Sequence, residues 1–102
     1  MNKVYVLVEM WGNEASYEQA CEGAKMCVFS SMAKAKEILA EHMNEILNRW
    51  RQSKDYDKDD EDMFRINDYF YAIYTDRTYK GEIIEVETND ADGASIYIAP
   101  SF

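Results

Sequence analysis

The chain has 102 residues, of which 20 are acidic and 11 are Lys or Arg, so its formal net charge is −9. This length predicts a single domain over residues 1–102, and an apolar content of 47% is too high for a chain that is disordered throughout. The negative charge argues against direct binding to nucleic acid or to an anionic membrane surface. No apolar run reaches the roughly 20 residues that span a bilayer.

The first predicted element is a strand over residues 3–9, KVYVLVE, which is rich in β-branched and aromatic residues. Its apolar side chains occupy both faces, so we expect it in the interior of a sheet. A turn is indicated at Gly12–Asn13. Residues 20–29 predict a second strand, paired with the first as a hairpin, with a helix as the alternative.

The first residues also lack the features of a signal peptide, because the apolar run is too short and Glu9 ends it. We therefore expect a cytoplasmic protein, in the host cytoplasm if a phage encodes it. In that compartment Cys21 and Cys27 remain thiols, and their spacing matches neither a redox motif nor a zinc site.

A long helix is predicted from the serines at 30 and 31 to about Gln52. A serine side chain can accept hydrogen bonds from the free N–H groups of a first helical turn. Apolar residues then recur at steps of three and four, the strongest periodic signal in the chain. These are Ala35, Leu39, Met43, Ile46 and Trp50.

Residues 53–62, SKDYDKDDED, contain six acidic residues and two lysines, which predicts a mobile, charged loop. Alternating aspartates from Asp55 onward match the first ligand positions of a calcium-binding loop. However, Asp60 and Ile66 stand where that loop requires Gly and Glu. We therefore favour a solvated acidic loop over a calcium site.

The remaining sequence predicts three strands. Residues 63–75 form a long one, with a kink or bulge at Asn67–Asp68, and residues 82–88 alternate cleanly as its hairpin partner. After a turn at residues 89–93, residues 94–99 form a short last strand. The predicted fold is α+β: one long helix packed on a mostly antiparallel sheet of four to five strands, in the order β-(β)-α-β-β-β.

No complete catalytic or phosphate-binding signature is present, so we predict a protein that is not an enzyme and has no cofactor and no metal site. His42 is the only histidine, and a single histidine seldom makes a transition-metal site. We expect it at the edge of the helix's apolar stripe, hydrogen-bonded to a carboxylate or to water.

Tyrosines are concentrated in residues 69–79. Strand alternation places Tyr69 and Tyr71 on one face and Tyr74 on the other, so one face is core and the other exposes tyrosine; a wholly internal sheet is the alternative. The negative charge is concentrated in the acidic loop and the C-terminal strands, where it would attract a basic partner. The predicted partner-binding residues are Asp57, Asp59, Asp60, Glu61, Asp62, Tyr69, Tyr71, Tyr74, Glu85 and Glu87.

Three segments, KVYVLVE, CVFSSMAKAKEI and MFRINDYFYAIYT, resemble those of small uncharacterised α+β domains from phages, prophages and gut bacteria. The resemblance covers about half the chain and implies a mobile-element context. The long helix, the acidic insert and the additional C-terminal strands depart from that pattern. In size and charge the chain is also similar to acidic phage inhibitors such as anti-CRISPR proteins.

The leading hypothesis is a binding protein that blocks a basic, nucleic-acid-binding surface of a host protein. The acidic side chains would supply the electrostatic field that attracts the partner, and the tyrosines would supply the contact area. A homodimeric structural or regulatory module is the first alternative, and a binder of calcium or of a small ligand is the second.

Overall fold

The computed structural model describes residues 2–13 and 20–88. Within these ranges it contains five β-strands, one α-helix and one short 3-10 helix. Their bounds are β1 Asn2–Asn13, β2 Ala20–Phe29, α1 Met32–Arg51, the 3-10 helix Lys58–Met63, β3 Arg65–Asn67, β4 Phe70–Tyr74 and β5 Thr78–Thr88.

The strands form one antiparallel sheet in the order β2-β1-β5-β4-β3, with α1 packed on one face. The predicted α+β class is therefore confirmed. β1 lies between β2 and β5, which confirms that its two apolar faces belong to an interior strand. Residues 20–29 form a strand and pair with β1 as a hairpin, so the helical alternative is excluded.

The helix begins and ends close to the predicted residues. Ser31 is the N-cap, and its hydroxyl accepts a hydrogen bond from the Lys34 backbone N–H at 3.3 Å. Arg49 and Arg51 lie in the last turn, where cations interact favourably with the helix dipole. Leu39 is buried in the stripe that faces the sheet.

The core lies between α1 and one face of the sheet. Leu7 of β1, Ile73 of β4 and Ile83 of β5 pack there against the buried face of the helix. Because alternate residues of a strand point to opposite faces, Val6 and Val8 lie on the other face, and both are buried as well. Apolar side chains on both faces of β1 are therefore buried.

The structure corrects three predicted boundaries. The long strand over residues 63–75 is two strands, β3 and β4, joined by a tight turn in which the Asn67 side chain accepts from the Tyr69 backbone N–H at 3.0 Å. β5 begins at Thr78 rather than at residue 82. β1 continues through the predicted turn at Gly12, where its pairing with β2 only shifts register.

The predicted turn at residues 89–93 and the predicted strand at residues 94–99 lie outside the described residues. The sheet described above is therefore that of residues 2–13 and 20–88 alone.

Candidate functional site

The predicted acidic loop contains a short 3-10 helix, Lys58–Met63. Asp57 is its N-cap, and the Asp57 side chain accepts a hydrogen bond from the Asp59 backbone N–H at 3.0 Å. Within residues 57–62 four aspartates are exposed, and none of them forms an ion pair with another described residue. These are Asp57, Asp59, Asp60 and Asp62.

Glu61 differs from these aspartates because it bonds within the chain. It accepts a hydrogen bond from the Tyr56 hydroxyl and forms an ion pair with Arg51, with 2.6 Å between Nη2 and Oε1. The bonds to Tyr56 and Arg51 lower the pKa of the Glu61 carboxyl. Glu61 thus ties the acidic segment to the end of α1 and is not free for a partner.

The bonds of Glu61 to Tyr56 and Arg51 depend on pH, and they weaken in acid. Because the pKa of Glu61 is lower in the folded chain than its ordinary value of 4.5, the bonds are complete above pH 4.5 and are lost as the pH falls through the lowered pKa. We expect the protection of the amides of residues 58–63, measured as their exchange rate relative to the intrinsic rate at each pH, to fall over that acid range. In Glu61→Gln the exchange should already be faster at pH 7, and equal exchange in both proteins would contradict the attachment.

Large apolar side chains are exposed directly after the acidic segment. Met63 is 69% exposed, Ile66 43% and Tyr69 52%. β3 is the edge strand on this side, and within the described residues it pairs only with β4. We name this surface the acidic edge: the four exposed aspartates of residues 57–62 together with Met63, Ile66 and Tyr69.

The other predicted site residues do not all join the acidic edge. Tyr74 lies next to the acidic edge, because it lines a shallow cleft together with Asp60. Tyr71 does not: it faces α1 and is only 1% exposed, so its assignment as a partner-binding residue is wrong. Strand alternation correctly placed Tyr71 and Tyr74 on opposite faces but did not indicate which face the helix covers.

Glu85 and Glu87 lie towards the opposite end of β5. Tyr74 pairs with Thr78 at the start of that strand, and Glu85 follows seven residues later, about 23 Å away at about 3.3 Å per residue. Glu85 also forms an ion pair with Lys3 at 2.8 Å. The predicted set of ten residues therefore does not form one continuous surface.

A second arrangement, which the sequence did not reveal, surrounds Glu9 of β1. Glu9 is only 7% exposed. Its Oε2 accepts a hydrogen bond from the Tyr71 hydroxyl at 2.6 Å, and its Oε1 lies 2.6 Å from His42 Nδ1. The expectation that a carboxylate bonds His42 at the edge of the helix is thereby confirmed.

The hydrogen-bond partners indicate which atoms donate and which accept in this network. Burial and the bond to Glu9 raise the pKa of the Tyr71 hydroxyl far above its ordinary value of 10.0, so Tyr71 remains the donor. A carboxylate at Glu9 accepts from both neighbours, which places the hydrogen of His42 on Nδ1 and leaves Nε2 as its second polar atom.

Gly81 makes the contact between Tyr71 and Glu9 geometrically possible. It lies on β5 between the two residues, and it pairs with Glu9 of β1 on one side and with Tyr71 of β4 on the other. A Cβ atom at Gly81 would lie 2.3 Å from the Tyr71 ring, so the ring rests directly on the glycine backbone. Tyr71 thus crosses β5 to reach Glu9 on β1.

A second aromatic ring packs on a glycine in the same way, between β1 and β2. A Cβ atom at Gly23 of β2 would lie 2.3 Å from the Trp11 ring. Trp11 pairs with Gly23 across β1 and β2, so the indole lies against backbone where a side chain would otherwise stand. Unlike Tyr71, Trp11 is 36% exposed.

An open cleft of about 430 Å³ lies beside these groups, between one flank of α1 and the sheet. The helix contributes His42, Glu45 and Arg49, and the strands contribute Trp11 and Lys25. The one sequence signal for this site is Glu9 itself, a carboxylate that directly follows the apolar run of an interior strand.

Within residues 2–13 and 20–88, no group of three His, Cys, Asp or Glu side chains is placed to hold a metal ion. The single α-helix of the described part is not apolar enough to cross a membrane. Comparison with protein-family models, with curated proteins and with solved structures found no match.

Proposed function

We propose that this protein binds a basic surface of another protein through its acidic edge and blocks a surface of the kind that holds nucleic-acid phosphates. The observation that carries the proposal is the row of four exposed aspartates without an internal ion pair, beside exposed apolar side chains. The mobile-element origin and the comparison with anti-CRISPR inhibitors remain predictions from the sequence.

The charge density of the acidic segment supports a phosphate-like role. Residues 57–62 contain five carboxylates and one lysine, and Arg51 neutralises one of the carboxylates, which leaves three net negative charges. A 3-10 helix rises about 2.0 Å per residue, so these charges extend over about 10 Å. The net charge per unit length of this segment is therefore close to the one charge per 3.4 Å of axis of one nucleic-acid strand.

Apolar contact area complements this charge. Charge attraction mainly accelerates encounter and selects the partner, whereas buried aromatic and apolar side chains supply most of the affinity. Met63, Ile66 and Tyr69 provide such side chains in and next to β3, with Met63 beside Asp60 and Ile66 beside α1. The acidic edge thus combines a steering field with area that can be buried.

The test compares two sets of four neutralised carboxylates. D57N/D59N/D60N/D62N removes the charge of the acidic edge, whereas E41Q/E45Q/E85Q/E87Q removes as much charge elsewhere. The partner is captured from a bacterial lysate with the wild-type protein, purified, and titrated in 50 and 500 mM salt. We expect the first variant to bind at least tenfold more weakly and the second to change less than threefold, because distant exposed charges are screened.

Two further results complete this test. The captured protein should bind a labelled oligonucleotide, and the wild-type chain should displace that oligonucleotide. Binding that is insensitive to salt, or equal losses in the two variants, would contradict the proposal.

The second candidate function, a homodimeric module, is favoured by one observation on the other edge of the sheet. β2 is a ten-residue edge strand that, within the described residues, pairs only with β1. It exposes Met26 to 58% and Val28 to 60%. Long edge strands with exposed apolar residues can pair with a second copy. A stable dimer in light scattering, without oligonucleotide displacement, would favour this function.

A further inference from the structure

We propose that the cleft beside the Glu9–His42–Tyr71 network binds a small aromatic anion of the mononucleotide type. This site is separate from the acidic edge and does not depend on the function proposed for that edge. It is formed by the flank of α1 that contains His42 and Arg49, and by the parts of β1 and β2 that contain Trp11 and Lys25.

The aromatic part of the ligand is inferred from Trp11. One face of its indole rests on Gly23, because that position has no Cβ. The side chain is nevertheless 36% exposed and lines the cleft. A flat, supported ring with accessible surface is the arrangement on which planar bases stack, a contact worth about 1–3 kcal/mol per base.

The negative charge of the ligand is inferred from the cations of the cleft. Lys25 and Arg49 are exposed, and neither forms an ion pair with another described residue. Arg77 also lines the cleft but already pairs with Glu22. Lys25 and Arg49 are therefore the two cations available for an anionic group.

Two carboxylates, those of Glu9 and Glu45, also line the cleft, and the three cations Lys25, Arg49 and Arg77 outnumber them. Glu9 bonds Tyr71 through one oxygen and His42 through the other. The same bond holds the imidazole by Nδ1, so Nε2 is the ring nitrogen left for a ligand. His42 can therefore form a hydrogen bond to the ligand through Nε2.

Size and net charge limit the ligand to a small molecule. A cleft of about 430 Å³ lies within the range of about 300–1,000 Å³ that is typical of small-ligand sites. A nucleic-acid polymer would extend beyond the local cations and meet the field of a chain with net charge −9. A mononucleotide, with one base and one phosphate, is small enough to contact the cleft alone.

The experiment is calorimetric titration of the full chain in low salt with adenosine monophosphate, adenosine and inorganic phosphate. We expect adenosine monophosphate to bind with a submillimolar Kd, and each of the other two at least tenfold more weakly. Trp11→Ala and Arg49→Gln should each weaken binding at least fivefold. Lys34→Gln, which removes an exposed cation at the other end of α1, should bind as the wild type does.

Tryptophan fluorescence provides an independent measurement. Trp50 is 6% exposed and lies in the core, so quenching by adenosine monophosphate should come from Trp11 and should persist in Trp50→Phe. Inorganic phosphate that binds as tightly as the nucleotide would overturn the stacking contact. Nucleotide binding that Arg49→Gln leaves unchanged, or no binding at 5 mM, would overturn the site.

Discussion

Replacing Gly81 with alanine is expected to lower the free energy of unfolding by about 2–6 kcal/mol, since overpacking and a broken buried hydrogen bond each contribute about 1–3 kcal/mol. The added Cβ would lie 2.3 Å from a Tyr71 ring that is 1% exposed and has no room to move. If the ring shifts, the Tyr71 hydroxyl leaves Glu9. Urea unfolding followed by circular dichroism measures the loss.

Gly23→Ala is the matched control for this prediction. Its Cβ would lie equally close to an aromatic ring, but that ring belongs to Trp11, which is 36% exposed and can turn towards solvent. We expect a loss of about 1 kcal/mol or less, because a partly exposed side chain relieves overpacking by moving. Equal losses in the two variants would show that burial of the covering ring is not the decisive factor.

Replacing Glu9 with alanine is expected to destabilise the fold by about 3–6 kcal/mol, because it removes two hydrogen bonds to a charged acceptor, each worth about 1.5–3 kcal/mol. Tyr71 would lose the acceptor of its hydroxyl, and His42 would lose its bond at Nδ1. Tyr71→Phe removes only one of these hydrogen bonds to a charged acceptor, so a smaller loss of about 1.5–3 kcal/mol is expected.

The two substitutions at Glu9 and Tyr71 should not be additive, because they remove the same hydrogen bond. The double variant Glu9→Ala/Tyr71→Phe is expected to be more stable than the sum of the single losses implies, since the phenyl ring leaves no unpaired hydroxyl. Chemical denaturation of all four proteins measures the coupling. Strict additivity would indicate that the two groups do not interact in solution.

Most elements of the fold could be predicted because their signals are local. The helix shows its period and its serine cap within about 20 residues, and β1 shows its continuous run of β-branched and aromatic residues within seven. The break between β3 and β4 was harder to locate, since it depends on one hydrogen bond from the Tyr69 amide to the Asn67 side chain. A sequence pattern shows that residue types favour a turn there, but not whether the turn separates two strands.

The Glu9 network could not be predicted because it is non-local. Glu9 is 33 residues from His42 and 62 from Tyr71, and the contacts exist only once β1, β5 and β4 are in register. The same limit explains the error at Tyr71. Alternation along one strand separates two faces, but the position of α1 decides which of them is buried.

The position of β1 in the sheet has a consequence for how the chain acquires its structure. β1 pairs along its whole length with β5, so Asn2 meets Thr88 although the two residues are 86 positions apart. Contacts between such distant segments slow the search for the native topology. During synthesis, β1 and β2 emerge from the ribosome with one side of their ladder open until residue 88 has been translated, and this is the interval in which a chaperone would protect the nascent chain most effectively.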